Sequence, residues 1–329
     1  MQNKINNSAN DSARNQKKQS VRFVTVGESS VGQRIDNFLM RELKDVPRSY
    51  IYRILRKGEV RVNKKRIKPV YKLKNEDMVR IPPVFLPEKN QVNKAPEVLL
   101  KSLQAAILLE DENIIFINKP SGLAVHGGSG LRFGLIEIFR QLRPDLPFVE
   151  LVHRLDKETS GIVMLAKNRN TLLELHEMLK NGGINKYYKT LVIGQWQGGT
   201  KHIKNFLQVQ RGQQKKVRVL GDNEVDTGKK AESIFTPLSI YKNHSLLKVE
   251  LMTGRMHQIR TQLAEMNHPV LGDTKYGDFS ANREAKKQLK LKRLFLHAYH
   301  LHFTLKSTGK QYDIDISLAS DLEKTITKL

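Results

Sequence analysis

A charged run of nine residues lies near the middle of this chain, between two apolar segments. It reads His-Arg-Leu-Asp-Lys-Glu-Thr-Ser-Gly, from His153 to Gly161. The segments 148–152 and 162–166 on either side are short, apolar and rich in β-branched residues, which is typical of buried strands. A polar run between two buried strands must form a loop at the edge of a rigid sheet, where functional sites are often built. We therefore predict a sheet-based domain with a candidate site in this loop.

Asp156 is the candidate reactive group of the charged run. Arg154 lies two residues before it and Lys157 follows it directly. A carboxylate among cations is held in its ionised form. An ionised carboxylate suits a nucleophile or an electrostatic stabiliser better than a general acid. The alternative is a purely structural ion pair at a strand end, which also places cations around an acid.

The charge of the chain points to a polyanionic partner. Its 329 residues carry 57 Lys and Arg against 33 Asp and Glu, which gives a formal charge of +24. Nucleic acid is the first candidate for such a partner. An anionic membrane would require a basic amphipathic helix, and none stands apart from a core. There is no apolar run of membrane-spanning length and no secretory signal, so a cytoplasmic location is the simplest expectation. The absence of cysteine excludes disulfides, thiolate chemistry and cysteine-ligated zinc.

Composition and pattern divide the chain into four parts. Residues 1–20 are polar and basic and predict a disordered tail. Residues 21–83 predict a small domain, and the proline-containing stretch 84–98 predicts a linker. Residues 99–329 predict the larger domain. No heptad repeat or long apolar strand edge is evident, so we expect a monomer.

The small domain combines two helices with strands. Apolar spacing predicts a helix at Gln33–Leu43 and a second one from Pro47 to Gly58, followed by paired strands at Glu59–Asn63 and Val70–Ile81. Between positions 48 and 68 one acid, Glu59, accompanies nine cations: Arg48, Arg53, Arg56, Lys57, Arg61, Lys64, Lys65, Arg66 and Lys68. A helix and a hairpin with this density of charge can present one basic face to phosphates. The order of elements resembles the S4 RNA-binding module, whose pattern also includes Arg34.

The larger domain mixes strands and helices. The patterns predict helices at Leu135–Leu142 and Thr171–Lys180 and a third that follows Thr253 and is stopped by Pro269. Strands are expected at 113–118, 186–193, 245–251 and 294–298, and irregular hairpins at 195–228. The glycine-rich segment 126–130 lacks the lysine pattern of a phosphate-binding loop, so a connecting loop is the better interpretation. The fold class is therefore α+β.

Three stretches together resemble the motifs of the RluA-type pseudouridine synthases. They are the run His153–Gly161, the triplet Lys186-Tyr-Tyr188, and Thr253-Gly-Arg-Met-His-Gln-Ile-Arg260. Supporting stretches agree with the same family: Asn118–Gly122, His126–Gly130, Gly272-Asp-Thr-Lys-Tyr-Gly277 and Leu296-His-Ala298. The resemblance covers the chain from about Val21 onward, with the S4-like module in front of the catalytic domain.

The resemblance implies a fold and a reaction. The fold is a mixed, mainly antiparallel sheet with flanking helices and a central cleft. The reaction converts a uridine within RNA to pseudouridine and uses no cofactor and no metal. With the S4-like module, the implied substrate is large-subunit (23S) ribosomal RNA, and no obligate protein partner is expected.

The resemblance also assigns roles to four residues. Asp156 would be the catalytic carboxylate, and Arg260 would pair with it. Tyr188 would pack on the target base and is a candidate to move the C5 proton, although Tyr187 stands next to it. Arg154 would help to expel the nucleotide from its stack. The implied RNA-binding residues are Arg34, Arg48, Arg53, Arg56, Lys57, Arg61, Lys64, Lys65 and Arg66.

Three other functions remain open at this point. A non-catalytic RNA-binding or ribosome-assembly factor would share the basic charge and the S4-like module. A metal-dependent nuclease could use Asp156, Glu158 and His153, although magnesium sites usually gather carboxylates rather than cations. A pseudouridine synthase could also act on tRNA.

Overall fold

The computed structural model describes residues 20–43, 46–84, 94–127, 133–210 and 216–329. The predicted tail, apart from Ser20, and residues 85–93 of the predicted linker lie outside the described residues, as do 128–130 of the glycine-rich segment. The chain forms two compact units, Met1–Asn93 and Lys94–Leu329. Ala95 already packs into the core of the second unit.

The first unit is a four-stranded antiparallel sheet with two helices. Its elements are β1 (Arg22–Thr25), a short 3₁₀ turn (Glu28–Ser30), α1 (Ile35–Glu42), α2 (Arg48–Arg56), β2 (Arg61–Val62), β3 (Lys65–Arg66) and β4 (Met78–Ile81). The strand order is β1-β4-β2-β3. The predicted strands Glu59–Asn63 and Val70–Ile81 do pair, but only Arg61–Val62 and Met78–Ile81 form regular strands. A tight turn at Asn63 and Lys64, both with positive φ, also pairs β2 with β3.

Both helices of the first unit pack on one face of its sheet. Leu39 of α1 and Ile54 of α2 share a buried cluster with Val62 and Val79 of the strands. Residues alternate along a strand, so the neighbours of Val62 and Val79 point to the opposite face. That outer face carries Arg61 and Arg80.

The second unit is built on one large sheet. Its strands are β5 (Ile107–Glu110), β6 (Ile114–Lys119), β7 (Glu150–Leu151), β8 (Ser160–Ala166), β9 (Asn185–Ile193), β10 (Lys201–Gln210), β11 (Lys216–Val219), β12 (Lys229–Ile240), β13 (His244–Leu251), β14 (Leu296–Thr304) and β15 (Gln311–Asp315). Its helices are α3 (Glu97–Ala105), α4 (Leu135–Leu142), α5 (Arg169–Lys180), α6 (Gln258–Glu265), α7 (Phe279–Gln288) and α8 (Ser320–Ile326), and a 3₁₀ segment spans Asp222–Thr227.

The strand order of the large sheet is β11-β10-β12-β13-β9-β14-β8-β6-β5, with β15 on β14 and β7 on β8. The pairing of β14 with β8 is parallel, and the other pairings between its described strands are antiparallel. The predicted α+β class with a mixed, mainly antiparallel sheet is therefore confirmed. No helix among the described residues is long and apolar enough to cross a membrane.

The prediction of irregular hairpins at 195–228 is confirmed in part, because β10 and β11 pair antiparallel as a hairpin, but the first of these strands is regular. Residues Lys201–Gln210 form a regular ten-residue strand, β10, which pairs with both β11 and β12. Ile203 and Leu207 face apolar clusters, while Lys204 between them is exposed. The high lysine and glutamine content therefore reflects one solvated face of a sheet rather than irregular structure.

Candidate active site

The pairing of three adjacent strands places the end of the central motif beside Tyr188. Gly161 of β8 lies opposite Ala298 of β14, and Ala298 lies opposite Tyr188 of β9. Gly161 has φ +114°, and a Cβ on it would lie 2.1 Å from the carbonyl oxygen of Ala298. Only glycine fits this close approach of two strands. The last residue of the motif thus sets how near β8 comes to β14.

The turn after β6 donates hydrogen bonds that fix the loop containing Asp156. The buried Lys119 ammonium donates to the carbonyl oxygens of Pro120, Leu123 and Lys157, at 2.8–3.1 Å. The Ser121 hydroxyl donates to the carbonyl of Glu158 at 2.6 Å. Burial lowers the pKa of Lys119 to about 7. These bonds fix the backbone on the carboxyl side of Asp156.

Asp156 forms the outer end of a line of alternating charges. Its Oδ2 accepts a hydrogen bond from Arg260 Nη1 at 3.2 Å. Arg260 Nε and Nη2 donate to the two oxygens of Asp273 at 2.7 and 2.8 Å, in a two-pronged pair. Such planar pairing fixes the guanidinium in orientation as well as position. Among the described residues, Asp156 Oδ1 has no hydrogen-bond donor, so this oxygen is available toward the cavity.

The Arg260–Asp273 pair stays charged although it is buried. The Asp273 side chain is completely buried and that of Arg260 is 7% exposed. Burial alone opposes the charge of Arg260, but the bond to Asp273 and the charges of Asp273 and Asp156 raise its pKa. Burial likewise opposes the charge of Asp273, but Arg260 and two backbone N–H groups lower its pKa. A permanent cation therefore stands behind the Asp156 carboxylate.

His257 adjoins the same carboxylate and was not singled out from the sequence. Its Nε2 lies 3.8 Å from Asp156 Oδ2, and its backbone has φ +54°. The Tyr276 oxygen accepts from the backbone N–H of Val217 at 2.8 Å and lies 2.7 Å from His257 Nδ1. We assign the phenol proton to the bond with Nδ1, which leaves the ring proton on Nε2, facing Asp156. His257 and Tyr276 both lie in stretches that resemble the family motifs, and this could have indicated a role for them. Nothing in the sequence around Val217 indicates its contact with Tyr276.

The two adjacent tyrosines occupy opposite faces of β9. Tyr188 is 6% exposed and lines the cavity beside Asp156. Burial and then the charge of Asp156 raise the pKa of the Tyr188 phenol. Tyr187 stacks on His300 on the other face, with ring centroids 5.1 Å apart. The structure therefore brings Tyr188 to Asp156, while Tyr187 points away from them.

A cavity of about 120 Å³ connects these groups with solvent. Asp156, Tyr188 and His257 line its inner part, and Arg154 and Arg255 contribute to its lining as exposed side chains. Arg154 forms no ion pair within the part of the chain that the structure describes. A cation at the mouth and a carboxylate inside suit a nucleotide that enters with its base first.

The cations next to Asp156 in sequence do not contact it. Lys157 pairs with Glu158 at 3.9 Å. His153 accepts the backbone N–H of Met164 on Nε2, and burial lowers the pKa of His153 to about 3. The three groups of the nuclease alternative therefore point in different directions. Among the described residues, no group of three His, Asp or Glu side chains is arranged to hold a metal.

The predicted RNA-binding cations divide between two sides of the first unit. Arg48, Arg53 and Arg56 lie on α2, where the Arg53 guanidinium covers the Tyr50 ring at 4.3 Å. Arg61 and Arg66 lie on the outer face of the sheet, with Lys57 and Lys64 in the adjoining turns, whereas Lys65 lies opposite the inward-facing Val62. Arg34 pairs with the buried Asp36 at 2.7 Å. One continuous basic face is therefore not formed by all nine residues.

Comparison with known proteins identifies both units. Residues 113–265 match the family described as RNA pseudouridylate synthase, and residues 33–79 match the S4 domain. Ribosomal large subunit pseudouridine synthase C of Pasteurella multocida is 46% identical over 315 residues, which cover 94% of each chain. The protein of the same name from Escherichia coli K12 is 46% identical over 321 residues, covering 94% of this chain and 97% of that protein.

A solved structure shares the fold of the second unit. Human RNA Pseudouridylate Synthase Domain Containing 4 superposes with a TM-score of 0.59 at 24% identity, covering 70% of this chain and 95% of that chain. At this identity the likeness concerns the fold alone.

Proposed function

This chain belongs to the RNA pseudouridylate synthase family, and from that membership we propose that it converts specific uridines of large-subunit ribosomal RNA to pseudouridine. Two relatives that are 46% identical over nearly the whole chain carry that substrate in their names. The S4 domain and the net charge of +24 support a structured RNA as the partner. The observation that carries the mechanism is the Asp156–Arg260–Asp273 line at the cavity.

Asp156 acts as the nucleophile in this proposal. The permanently charged Arg260 holds Oδ2, while Oδ1 accepts no hydrogen bond from the described residues and is free to attack. The reaction breaks the bond between N1 and C1′, turns the uracil, and forms a bond between C5 and C1′. C5 loses a proton and N1 gains one, so substrate and product are isomers. Asp156 could attack C6 of the base or C1′ of the ribose, and either attack requires one free carboxylate oxygen.

The target nucleotide must leave its stack to reach Asp156. The carboxylate is only 20% exposed and lies inside a cavity too narrow for a duplex. Extruding a nucleotide costs a few kcal/mol. Arg154 at the mouth offsets part of this cost by taking the place that the nucleotide leaves, and the Tyr188 ring supports the base inside.

Tyr188 works as a neutral phenol in this scheme. Because burial and the Asp156 charge raise its pKa, the phenolate is unfavourable at neutral pH. A neutral ring packs against uracil and donates a hydrogen bond. If Tyr188 also moves the C5 proton, its neutral phenol must release its own O–H proton in the step in which it accepts the proton from C5.

His257 positions the reacting carboxylate. Tyr276 fixes its tautomer so that Nε2–H points toward Asp156. The strained backbone of His257 is held by the start of α6, the helix that also carries Arg260. Arg260 and His257, the two groups that face Asp156, are therefore both positioned by the start of α6.

The test is to map pseudouridine in unmodified 23S ribosomal RNA after incubation with the chain and with Asp156→Asn, with a chelator present. We expect new pseudouridines with the unchanged chain alone. Asp156→Asn keeps the shape and RNA binding but removes the nucleophile. Modification by Asp156→Asn at the normal rate would remove Asp156 from the mechanism. Pseudouridine in tRNA but not in 23S RNA would replace the substrate, and none in either RNA would favour a binding factor.

A further inference from the structure

Four side chains form a row across the outer face of the first unit's sheet. Phe23 of β1 lies opposite Arg80 of β4, Arg80 lies opposite Arg61 of β2, and Arg61 lies opposite Arg66 of β3. Residues directly opposite in antiparallel strands point to the same face. The row therefore crosses all four strands, away from the helices, with an aromatic ring at one end and three guanidinium groups after it.

The three arginines of the row have no carboxylate partner among the described residues. Arg80 Nη1 donates to the carbonyl of Glu59 at 2.7 Å, and Arg61 Nε donates weakly to the carbonyl of Gly58. The Glu59 carboxylate lies toward Lys57 instead. Like charges directly opposite one another destabilise a sheet. Within the residues that the structure describes, this concentration of positive charge is therefore not balanced by acids.

Gly58 allows Arg66 to lie flat at the end of the row. A Cβ on Gly58 would lie 2.5 Å from Arg66 Nε and 2.9 Å from Cδ. The backbone of Gly58 also has φ +70°, which favours glycine. The side chain of Arg66 therefore packs against the bare backbone of Gly58.

The aromatic end of the row is open to solvent. Phe23 is 64% exposed and Met78, on the neighbouring pair of β1 and β4, is 50% exposed. Together with the row and Lys57 and Lys64 they line a groove of about 850 Å³. An exposed phenylalanine beside unpaired arginines serves no purpose in the core, which lies on the other face.

We propose that this row binds an unpaired stretch of RNA, with a base stacked on Phe23 and the following phosphates on Arg80, Arg61 and Arg66. The proposal rests on the proposed function, since it takes the substrate to be RNA. Stacking requires the face of a base, which a duplex hides and a loop or single strand offers. The row is also separate from the cations of α2, which lie on the helix side of the sheet and suit a duplex backbone.

Charge argues against the chain's own N-terminal segment as the occupant. Residues 1–19 carry four cations, Lys4, Arg14, Lys17 and Lys18, and one acid, Asp11. A segment of the same sign as the row gains nothing by lying on three arginines. RNA supplies both the negative charge and the planar groups that the row can take.

Binding of the full-length chain to a labelled single-stranded RNA and to a hairpin of equal length tests the stacking. We expect Phe23→Leu to weaken single-strand binding by about tenfold and leave hairpin binding unchanged, and Phe23→Tyr to bind normally. Arg61→Gln with Arg66→Gln should reduce the slope of log affinity against log salt by about 1.4 for the single strand. Lys72→Gln with Lys74→Gln, two exposed lysines of the same unit outside the row, is the charge-matched control.

A thiol probe identifies the occupant directly, because the chain has no cysteine. Thr25→Cys places a single thiol on the exposed row face next to Phe23, and Val70→Cys places one elsewhere on the same unit. We expect single-stranded RNA to slow alkylation at position 25 but not at position 70. Slow alkylation at 25 without RNA would show that the chain covers its own row.

The remaining outcomes also decide the proposal. Equal protection by the hairpin or by polyglutamate would overturn it, and so would normal single-strand binding by Phe23→Leu. None of these measurements uses pseudouridine formation. Failure of the row therefore leaves the activity assay intact, and an inactive enzyme can still bind RNA through the row.

Discussion

At the scale of single residues, Asp273 governs the site without lining the cavity. It is completely buried, accepts both prongs of Arg260, and is itself held by the backbone N–H groups of Lys275 and Tyr276. Breaking one partner of a buried ion pair leaves the other uncompensated. The orientation of Arg260, and through it of Asp156, therefore depends on a carboxylate that never meets substrate.

Replacing Asp273 with Asn should damage both stability and catalysis. The buried Arg260 charge loses its counter-charge, which costs roughly 3–5 kcal/mol of folding free energy. The arginine also loses its fixed direction toward Asp156, so kcat should fall while KM for RNA changes little. Urea unfolding and single-turnover kinetics measure the two effects. An unchanged kcat in a folded variant would show that Arg260 needs no such support.

The tautomer of His257 can be tested through Tyr276. Tyr276→Phe removes the proton that occupies Nδ1 and permits the wrong tautomer, so we expect kcat to fall about tenfold with KM unchanged. His257→Gln, which can donate but cannot switch tautomers, should lose less activity than His257→Ala. A Tyr276→Phe enzyme with normal kcat would contradict the positioning role.

At the scale of elements, the pattern of apolar residues predicted the helices that bury one face and the strands that are buried on both faces. The helix over Leu135–Leu142 has the predicted bounds, and β8 lies where the β-branched run 162–166 placed it. The twelve-residue strand β12 was missed because it begins with lysines and contains Pro237. The proline is tolerated at the irregularity in the register between Pro237 and Ser239.

The candidate site was predictable only in part, for a related reason. The sequence neighbours of Asp156 suggested which charges surround it, yet Arg154 and Lys157 do not pair with it. The group that does, Arg260, is 104 positions away and was indicated by the family resemblance alone. The contact of Val217 with Tyr276 depends on how β11 lies near α6, which no local pattern records.

Gly161→Ala tests the close approach of β8 to β14. A side chain there adds a clash with Ala298 to an unfavourable φ, so we expect a loss of roughly 3 kcal/mol or more in unfolding free energy. Gly221→Ala is the matched control, because its position is open and its φ is −71°. Equal urea midpoints for the two variants would refute the packing argument.

His297 of β14 should make stability depend on pH. It is fully buried between the Ser160 hydroxyl and the Ser317 carbonyl, and burial lowers its pKa to about 4. Between about pH 6.5 and 4 the unfolded chain binds a proton that the folded chain does not, so stability falls as the pH falls. From pH 7 to pH 5 this histidine should contribute about 2 kcal/mol of the loss. Urea titrations of His297→Gln should show a correspondingly flatter pH dependence; an identical slope would contradict it.

At the scale of the whole molecule, the excess of 24 positive charges should dominate the encounter with RNA. Long-range attraction speeds association and falls steeply with ionic strength. The S4 unit concentrates this charge on a small surface, while the catalytic cavity presents a carboxylate. We therefore expect affinity to reside mainly in the first unit and selectivity among uridines to depend on the second.

Arg56→Ala with Lys65→Ala tests that division. The double variant should weaken RNA binding and reduce the slope of log affinity against log salt by about 1.4 to 1.8, as expected for two lost phosphate contacts. The turnover rate at saturating RNA should stay unchanged. Lys306→Ala with Lys328→Ala, which removes two exposed lysines of the second unit, is the control. Equal slopes for the two double variants would place affinity elsewhere.

The position of β14 inside the large sheet bears on how the protein is made. Strand β8, which follows Asp156, and strand β9, which carries Tyr188, are joined in the sheet through β14. During synthesis the residues of β8 and β9 leave the ribosome more than a hundred residues before those of β14. Insertion of an interior strand from so far along the chain is a slow, non-local folding step. A growing chain can thus fold its first unit well before the sheet that carries Asp156 and Tyr188 is complete.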